Sequence, residues 1–181
     1  MIKKEIIFAG FGGQGILTIG KLLAYAAMDK GLNVSWLPSY GPEMRGGTAN
    51  CSVIISNEEV GSPVISKADA LVVMNKPSLD KFVNSIKRDG ILIADSDMIK
   101  EKINLEEIEV YKIDAETKAE GLGDKRNANM ILLGFLVEKL KIITIEELIA
   151  SVKSHGKKEY YNLNKEAIEL GAKEAKKYNT N

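Results

Sequence analysis

The sequence predicts an α/β protein with a mostly parallel sheet covered by helices on both faces. Short apolar runs alternate with amphipathic helical patterns over most of its 181 residues. The runs at residues 5–9, 70–74 and 90–95 are apolar almost throughout, as is typical of strands buried on both faces. Because a helix between two strands supplies a crossover connection, this order favours parallel pairing.

The other elements follow from the same patterns in chain order. A helix with one broad apolar face covers residues 15–30 and ends before Gly31. Strands are predicted at 33–37, 48–56 and 109–113, and a helix at 78–87 begins beside Pro77. The C-terminal third is helical, over 127–139, 145–154 and 165–178. We expect residues 1–181 to form one domain.

Two of the C-terminal helices have unusual surfaces. Residues 127–139 are apolar nearly all round, which predicts burial within the domain or against a partner. On the last helix Ala167, Gly171 and Ala175 recur every fourth residue and form a stripe that permits close packing. Together they suggest a subunit contact made by the C-terminal helices.

Composition argues against several classes of protein. Lys plus Arg and Asp plus Glu both number 25, so the chain lacks the excess positive charge typical of nucleic-acid binding. No apolar run approaches a membrane span, and the N-terminal run is too short for a signal peptide. Cys51 is the only cysteine, so the chain alone forms neither an internal disulfide nor a cysteine-ligated iron–sulfur cluster. We expect a cytoplasmic protein that binds neither nucleic acid nor membranes.

A glycine-rich loop follows the first strand and is the first candidate site. Residues 10–15, GFGGQG, fit G-x-G-x-x-G in the strand-to-helix context that this motif requires. Glycine allows close backbone approach, and the start of the following helix favours an anion such as a diphosphate. The loop is therefore predicted to hold a diphosphate; alternatively, the glycines only make a tight strand-to-helix crossover. With the strand and helix order, the predicted fold is a Rossmann-like three-layer sandwich. The candidate contacts are Gly10, Gly12, Gly13, Gln14 and Gly15.

The end of the second strand argues against a nicotinamide dinucleotide. Dinucleotide-binding folds place an acidic residue there for the ribose hydroxyls. Here the strand ends at Leu37-Pro38-Ser39-Tyr40, with a loop predicted from Pro38 to Gly47, and Glu43 is the first acid, deep in that loop.

The loop after the second strand, SYGPEMRGGT, is the second candidate site. Loops after the first two strands of a doubly wound sheet leave from the same edge. Arg45 beside Gly46 and Gly47 places a guanidinium on an approachable backbone, which suits phosphate or carboxylate recognition. The alternative is a surface arginine paired with Glu43.

Four motifs in one order resemble a known family. GFGGQG at 10–15, SYGPEMRGG at 39–47, SPVI at 62–65 and NANMILLG at 127–134 are similar to the gamma subunit of the 2-oxoacid:ferredoxin oxidoreductases, which act on pyruvate, 2-oxoglutarate or 2-oxoisovalerate. The similarity covers most of the chain and weakens in the last third. The SYGPEMRGG form is more like the 2-oxoglutarate and branched-chain members.

The resemblance implies a subunit of a larger enzyme. That enzyme oxidatively decarboxylates a 2-oxoacid on thiamine diphosphate, passes electrons through iron–sulfur clusters to ferredoxin and transfers the acyl group to coenzyme A. Thiamine diphosphate, Mg²⁺ and the clusters are expected only in partner subunits: alpha, beta and, as a further candidate, a ferredoxin-like delta subunit. The gamma part is expected to help bind or cover coenzyme A. Asn127 and Asn129 become candidate coenzyme A contacts, while N-capping would explain one of them.

Other polar and aromatic residues have ordinary structural explanations. We expect His155 to be a solvated helix-end residue, Cys51 to lie in the core and Trp36 to pack at a strand end. The run at 157–161, KKEYY, suggests a solvated helix or a subunit contact. Three hypotheses therefore remain: an oxidoreductase subunit, a separate NAD-binding or redox-sensing module, and an architectural subunit without a ligand. The missing acid weakens the second.

Overall fold

The computed structural model describes residues 2–40 and 47–178, and within them six strands form one sheet in the order β2-β3-β1-β4-β5-β6. The α/β class and the helical C-terminal third are confirmed. The strands are β1 (Lys3–Phe11), β2 (Asn33–Tyr40), β3 (Thr48–Ser56), β4 (Ala68–Val73), β5 (Ile86–Asp95) and β6 (Ile108–Ile113). The helices are α1 (Ile16–Asp29), α2 (Lys76–Phe82), α3 (Ala115–Gly121), α4 (Ala128–Leu140), α5 (Ile145–His155) and α6 (Tyr161–Lys177).

The direction of the strands places the two predicted loops at one edge of the sheet. β1, β4, β5 and β6 pair in parallel, and β3 runs antiparallel to both of its neighbours, β1 and β2. β1 and β2 therefore point the same way, and the loops after them leave from the same edge. Since β3 lies between them, these strands are two spacings apart, about 10 Å.

The two faces of the sheet are covered unequally. One face carries the larger core, in which Phe8, Val53, Val72 and Ile93 pack with side chains of α1 and the four C-terminal helices. On the other face, Ile7, Leu71 and Leu92 pack against α2 and the non-helical segment 96–107. The predicted helices on both faces are confirmed.

α4 and α6 pack tightly against each other within the chain. All residues from Ala128 to Val137 are buried, which confirms the predicted burial of this helix. A Cβ atom on Gly134 would lie 2.1 Å from Ile168 O, and one on Gly171 would lie 1.9 Å from Ile131 O. The stripe of small residues therefore serves the α4–α6 contact and gives no support to the expected subunit contact.

Several boundaries differ from those predicted. The helix expected at 78–87 ends at Phe82, and a 3₁₀ turn, Val83–Ser85, leads directly into β5. Pro38 lies inside β2, not in the following loop; an edge strand tolerates a residue without an N–H group. α3 was missed because its seven residues place only two alanines in the core.

Candidate functional site

The glycine loop carries the chain from β1 into α1. β1 continues into the motif, with Gly10 opposite Ala49 and Phe11 opposite Thr48 on β3. Within the motif, positive φ angles occur at Gly13, 99°, and Gly15, 73°. L-residues rarely adopt this conformation, so these two positions favour glycine.

α1 presents its N-terminus at this loop. Gly15 is the N-cap and supplies no side-chain cap, and the first turn carries no acidic residue. Ile19 N donates to Gly15 O at 3.1 Å. The N–H groups before Ile19 have no carbonyl four residues back within the helix, and they carry the positive end of the helix dipole. The edge of the loop is therefore suited to an anion.

Gln14 holds the loop in place from inside. Its Oε1 accepts from Phe11 N at 2.7 Å and from Asn75 Nδ2 at 3.4 Å, while its Nε2 donates to Met74 O at 3.3 Å. The buried Asn75 also caps α2, accepting from Ser78 N at 2.8 Å. Gln14 thus ties the loop to the end of β4, and its contact with a ligand stays a prediction. Sequence analysis missed Asn75, although an Asn two residues before a proline in a helix start is a typical N-cap.

Within the described residues, the end of the second loop joins the first through a backbone hydrogen bond. Gly12 N donates to Gly47 O at 3.0 Å. Arg45 and Gly46, which were predicted to bind a ligand, lie outside the described residues. The end of the second loop nevertheless lies against the glycine loop, as the shared sheet edge predicted.

The two asparagines at the start of α4 serve different contacts. Asn127 makes no N-cap hydrogen bond, and its Nδ2 donates to Asn164 Oδ1 at 2.9 Å. Asn129 Nδ2 donates to Gly15 O at 3.3 Å. The N-capping prediction is wrong because the 3₁₀ turn Lys125–Asn127 leads directly into α4, so the first residues of α4 already follow a helical turn. Asn129 instead links α4 to the glycine loop.

Both asparagines line a cleft of about 450 Å³ that begins beside the loop at Thr18. The cleft follows one face of α1 and is closed by the start of α4 and by the connection between α5 and α6. Its lining includes the amides of Asn127, Asn129 and Asn164, the cations Lys21, Arg126 and Lys157, and the rings of Tyr25, His155 and Tyr160. Sequence analysis missed Lys21 and Arg126, because single charged residues on exposed positions carry no pattern.

His155 and Cys51 occupy the positions expected, whereas Trp36 lies in the middle of β2 and not at its end. His155 ends α5, stacks on Tyr25 with ring centroids 4.2 Å apart and lies 3.2 Å from Asp29 Oδ2. Cys51 is fully buried, and burial raises the pKa of its thiol to about 12, which keeps it neutral. The half-buried Trp36 packs against the larger core.

Asp95 has the most strongly perturbed carboxyl group at this edge of the sheet. It ends β5 and is fully buried, and burial raises its pKa to about 6. Its Oδ1 accepts from Asp97 N at 3.0 Å, whereas Oδ2 has no hydrogen-bond partner among the described residues. Its folded-state protonation therefore changes near neutral pH.

The described residues contain no cluster of three His, Cys, Asp or Glu side chains arranged to hold a metal ion. In the same ranges, no helix has the length and apolar character needed to cross a membrane. β2 carries no acidic residue, so the sequence argument against a nicotinamide dinucleotide stands.

Comparison with known proteins decides the family. Residues 5–174 match the family described as pyruvate ferredoxin/flavodoxin oxidoreductase. The chain belongs to this family. The resemblance predicted from the four motifs is thereby confirmed.

Three similar proteins place the chain within the pyruvate ferredoxin/flavodoxin oxidoreductase family. It is 40% identical over 96% of its length to the ketoisovalerate oxidoreductase subunit VorA of Methanothermobacter marburgensis, and spans only 37% of that relative. The crystal structure of the keto/oxoacid ferredoxin oxidoreductase gamma subunit from Geobacter sulfurreducens has a TM-score of 0.84 and 30% identity, covering 96% of this chain and 99% of that one.

The third is the 2-oxoglutarate:ferredoxin oxidoreductase from Magnetococcus marinus, solved with 2-oxoglutarate, coenzyme A and succinyl-CoA bound. Its TM-score is 0.88 at 26% identity, and the match covers 98% of this chain and 32% of that one. The family fold thus occurs both as a separate gamma subunit and as about a third of a longer chain.

Proposed function

We propose that this chain is the gamma subunit of a 2-oxoacid:ferredoxin oxidoreductase. The complete enzyme would convert a 2-oxoacid, coenzyme A and oxidised ferredoxin to an acyl-CoA, CO₂ and reduced ferredoxin. The family match and the nearly complete coverage of the Geobacter gamma subunit support this assignment. Residues 1–181 would act as one gamma-type domain beside alpha and beta subunits, with a ferredoxin-like delta subunit as a further candidate.

The glycine loop is proposed to contact the diphosphate of coenzyme A. The observation that supports this contact is the geometry of the loop. Positive φ angles at Gly13 and Gly15 shape the turn, and the uncapped N-terminus of α1 lies at the edge of the loop. Gln14 and Asn129 brace the loop from inside, so its backbone is ordered before a ligand arrives. The coenzyme A bound to the Magnetococcus enzyme makes this ligand a chemically consistent choice.

The reaction chemistry is proposed to belong to the partner subunits. Cys51 is the only cysteine of the sequence and cannot by itself ligate an iron–sulfur cluster. Its burial and raised pKa also make it a poor nucleophile. The resemblance to the family further implies that thiamine diphosphate, Mg²⁺ and the clusters are held by the partner subunits, and this chain would then bind and cover coenzyme A without turnover of its own.

Reconstitution tests the proposal. The alpha and beta subunits of the proposed complex are purified with and without this chain, and 2-oxoacid-dependent reduction of a viologen dye is measured against coenzyme A concentration. We expect no turnover by the lone chain, and a higher KM for coenzyme A, or no activity, when it is omitted. Turnover by the lone, cofactor-free chain, or an unchanged coenzyme A dependence without it, would contradict the proposal.

A further inference from the structure

The sheet face that β2 and β3 present on the α2 side lies outside both apolar cores. On the opposite face of these strands, Trp36, Cys51 and Val53 pack with α1 in the larger core. On the α2 side, the smaller core contains described residues of β1, β4, β5 and β6 but none of β2 or β3, and α2 packs against β1 and β4. The strand register places alternate residues on this face, from Asn33 to Ser39 on β2 and from Asn50 to Ser56 on β3. We call it the β2–β3 face.

The two strands that form the β2–β3 face carry no charged residue. They have eight and nine residues, none of which is Asp, Glu, Lys or Arg, although these types make up 28% of the chain. A segment of the same length with the average composition of the chain would contain about five. β2 is also an edge strand, and solvated edge strands typically carry charges that prevent association. Because the centres of protein interfaces are depleted of charge, this composition favours a face that another protein covers.

The β2–β3 face is open in the separate chain. Leu37 is 42% exposed, and the neighbouring Ser39 on the same face is exposed as well. Leu37 lies opposite the half-buried Ser52 of β3, so an apolar side chain is surrounded by small polar ones. Pro38 provides no N–H group for a further strand, which disfavours extension of the sheet at the edge of β2. A partner is therefore expected to pack on the face and not to pair with the edge.

We propose that the β2–β3 face docks on the alpha and beta subunits, against a part of their surface that is itself uncharged. A charge buried against this face would find no partner there, which is the reason for an uncharged counterpart. The proposal rests on the assignment of this chain as a gamma subunit. At the carboxyl end of β2, the face reaches the edge of the sheet where Gly12 N donates to Gly47 O, so a subunit seated on it would lie beside the glycine loop.

The longer relatives favour a partner from the same enzyme over a second copy of this chain. The match spans 37% of the VorA subunit and 32% of the Magnetococcus chain, so in both proteins this fold is joined to a larger remainder of the same polypeptide. A face without charges is then suited to permanent packing against that remainder, or against separate subunits that take its place.

Association of the full chain with purified alpha and beta subunits, measured by biolayer interferometry, tests the proposal. Leu37→Lys and Ser39→Lys each place an unpaired charge on the face, and we expect each to weaken the association about tenfold or more. Because both positions are exposed in the separate chain, its Tm should stay close to that of the wild type. Met28→Lys, at an exposed apolar position on α1, is the matched control and should associate normally. In the wild-type complex, amide hydrogen exchange of residues 33–39 should slow, a readout that needs no variant.

The outcomes separate this proposal from the assignment of the chain as a gamma subunit. Equal association of the wild type and both lysine variants, or unchanged exchange of residues 33–39 in the complex, would overturn the docking face and leave the assignment intact. No association of the wild-type chain with the two subunits would contradict the assignment and the proposal together. A dimer of the lone chain that Leu37→Lys dissociates, with normal association to the alpha and beta subunits, would also overturn the proposal, since the occupant would then be a second copy.

Discussion

Asn129 Nδ2 lies 3.3 Å from Gly15 O and only 2.2 Å from the position that a Cβ atom on Gly15 would occupy. Residues more than a hundred positions apart thus fix the start of α1 against the start of α4. Gly15 is needed both for this approach and for its positive φ of 73°. The glycine loop is consequently part of the packing of the domain as well as a candidate binding site.

Gly15→Ala should destabilise the fold by more than Gly13→Ala. Both replace a glycine at positive φ, which costs about 1–2 kcal/mol, but a Cβ on Gly13 meets no heavy atom within 4 Å. The additional loss in the free energy of unfolding of Gly15→Ala, relative to Gly13→Ala, measures the clash with Asn129. The double variant Gly15→Ala/Asn129→Ala should recover part of that additional loss. Urea unfolding of the four chains gives the free energies. Equal losses for the two glycine variants would show that Asn129 moves away at no cost.

Gly171→Ala should destabilise the α4–α6 contact by about 1–3 kcal/mol or more, because its Cβ would lie 1.9 Å from Ile131 O. Gly121→Ala is the matched control, since its Cβ meets nothing within 4 Å and alanine favours the helix by about 0.5–1 kcal/mol. Thermal unfolding should show opposite shifts in Tm. An unchanged Tm for Gly171→Ala would contradict the close packing of these helices.

Asp95 should make the free energy of unfolding depend on pH from about pH 4 to just above pH 6. Burial, with the nearby carboxylates of Asp97 and Glu116, raises its folded pKa to about 6, whereas an unfolded Asp titrates near 3.9. The folded state therefore binds the extra proton in this window, and this group's contribution to the free energy of unfolding falls as pH rises. Asp95→Asn should flatten that part of the profile. Asp89→Asn, at an exposed position of the same strand, is the control, and identical profiles for wild type and Asp95→Asn would contradict the prediction.

The sequence predicted more of the fold than of the site. Apolar periodicity located the buried strands and α4 because burial on all sides leaves an unmistakable pattern. It did not predict the position of β3 between β1 and β2, since strand order depends on tertiary pairing. The glycine motif located the loop, but the bracing contacts of Gln14 and Asn129 join distant segments and leave no local pattern.

Arg45 carries a prediction that rests on the sequence alone, because it lies outside the described residues. If its guanidinium binds a phosphate of coenzyme A, Arg45→Ala should raise the KM for coenzyme A by roughly tenfold to a hundredfold, as loss of a charged hydrogen bond of about 1.5–3 kcal/mol would. If it pairs with a partner carboxylate, the subunits should associate more weakly while that KM stays intact. Arg45→Lys should rescue only partly, because lysine lacks the planar fork. Unchanged assembly and unchanged KM would show a surface arginine without either role.

The KM for coenzyme A of the assembled complex carrying Gly12→Val tests the central proposal most directly. Gly12 joins the two loops through its hydrogen bond to Gly47 O, and the motif's positive φ angles fall on Gly13 and Gly15, not on Gly12. A valine side chain there should block backbone approach by a diphosphate while the fold survives. Gly61→Val, in the open connection after β3 at the opposite edge of the sheet, is the control. We predict a raised KM for coenzyme A in Gly12→Val alone, with the KM for the 2-oxoacid unchanged; an unchanged KM for coenzyme A in a fully assembled complex would contradict a role of the glycine loop in coenzyme A binding.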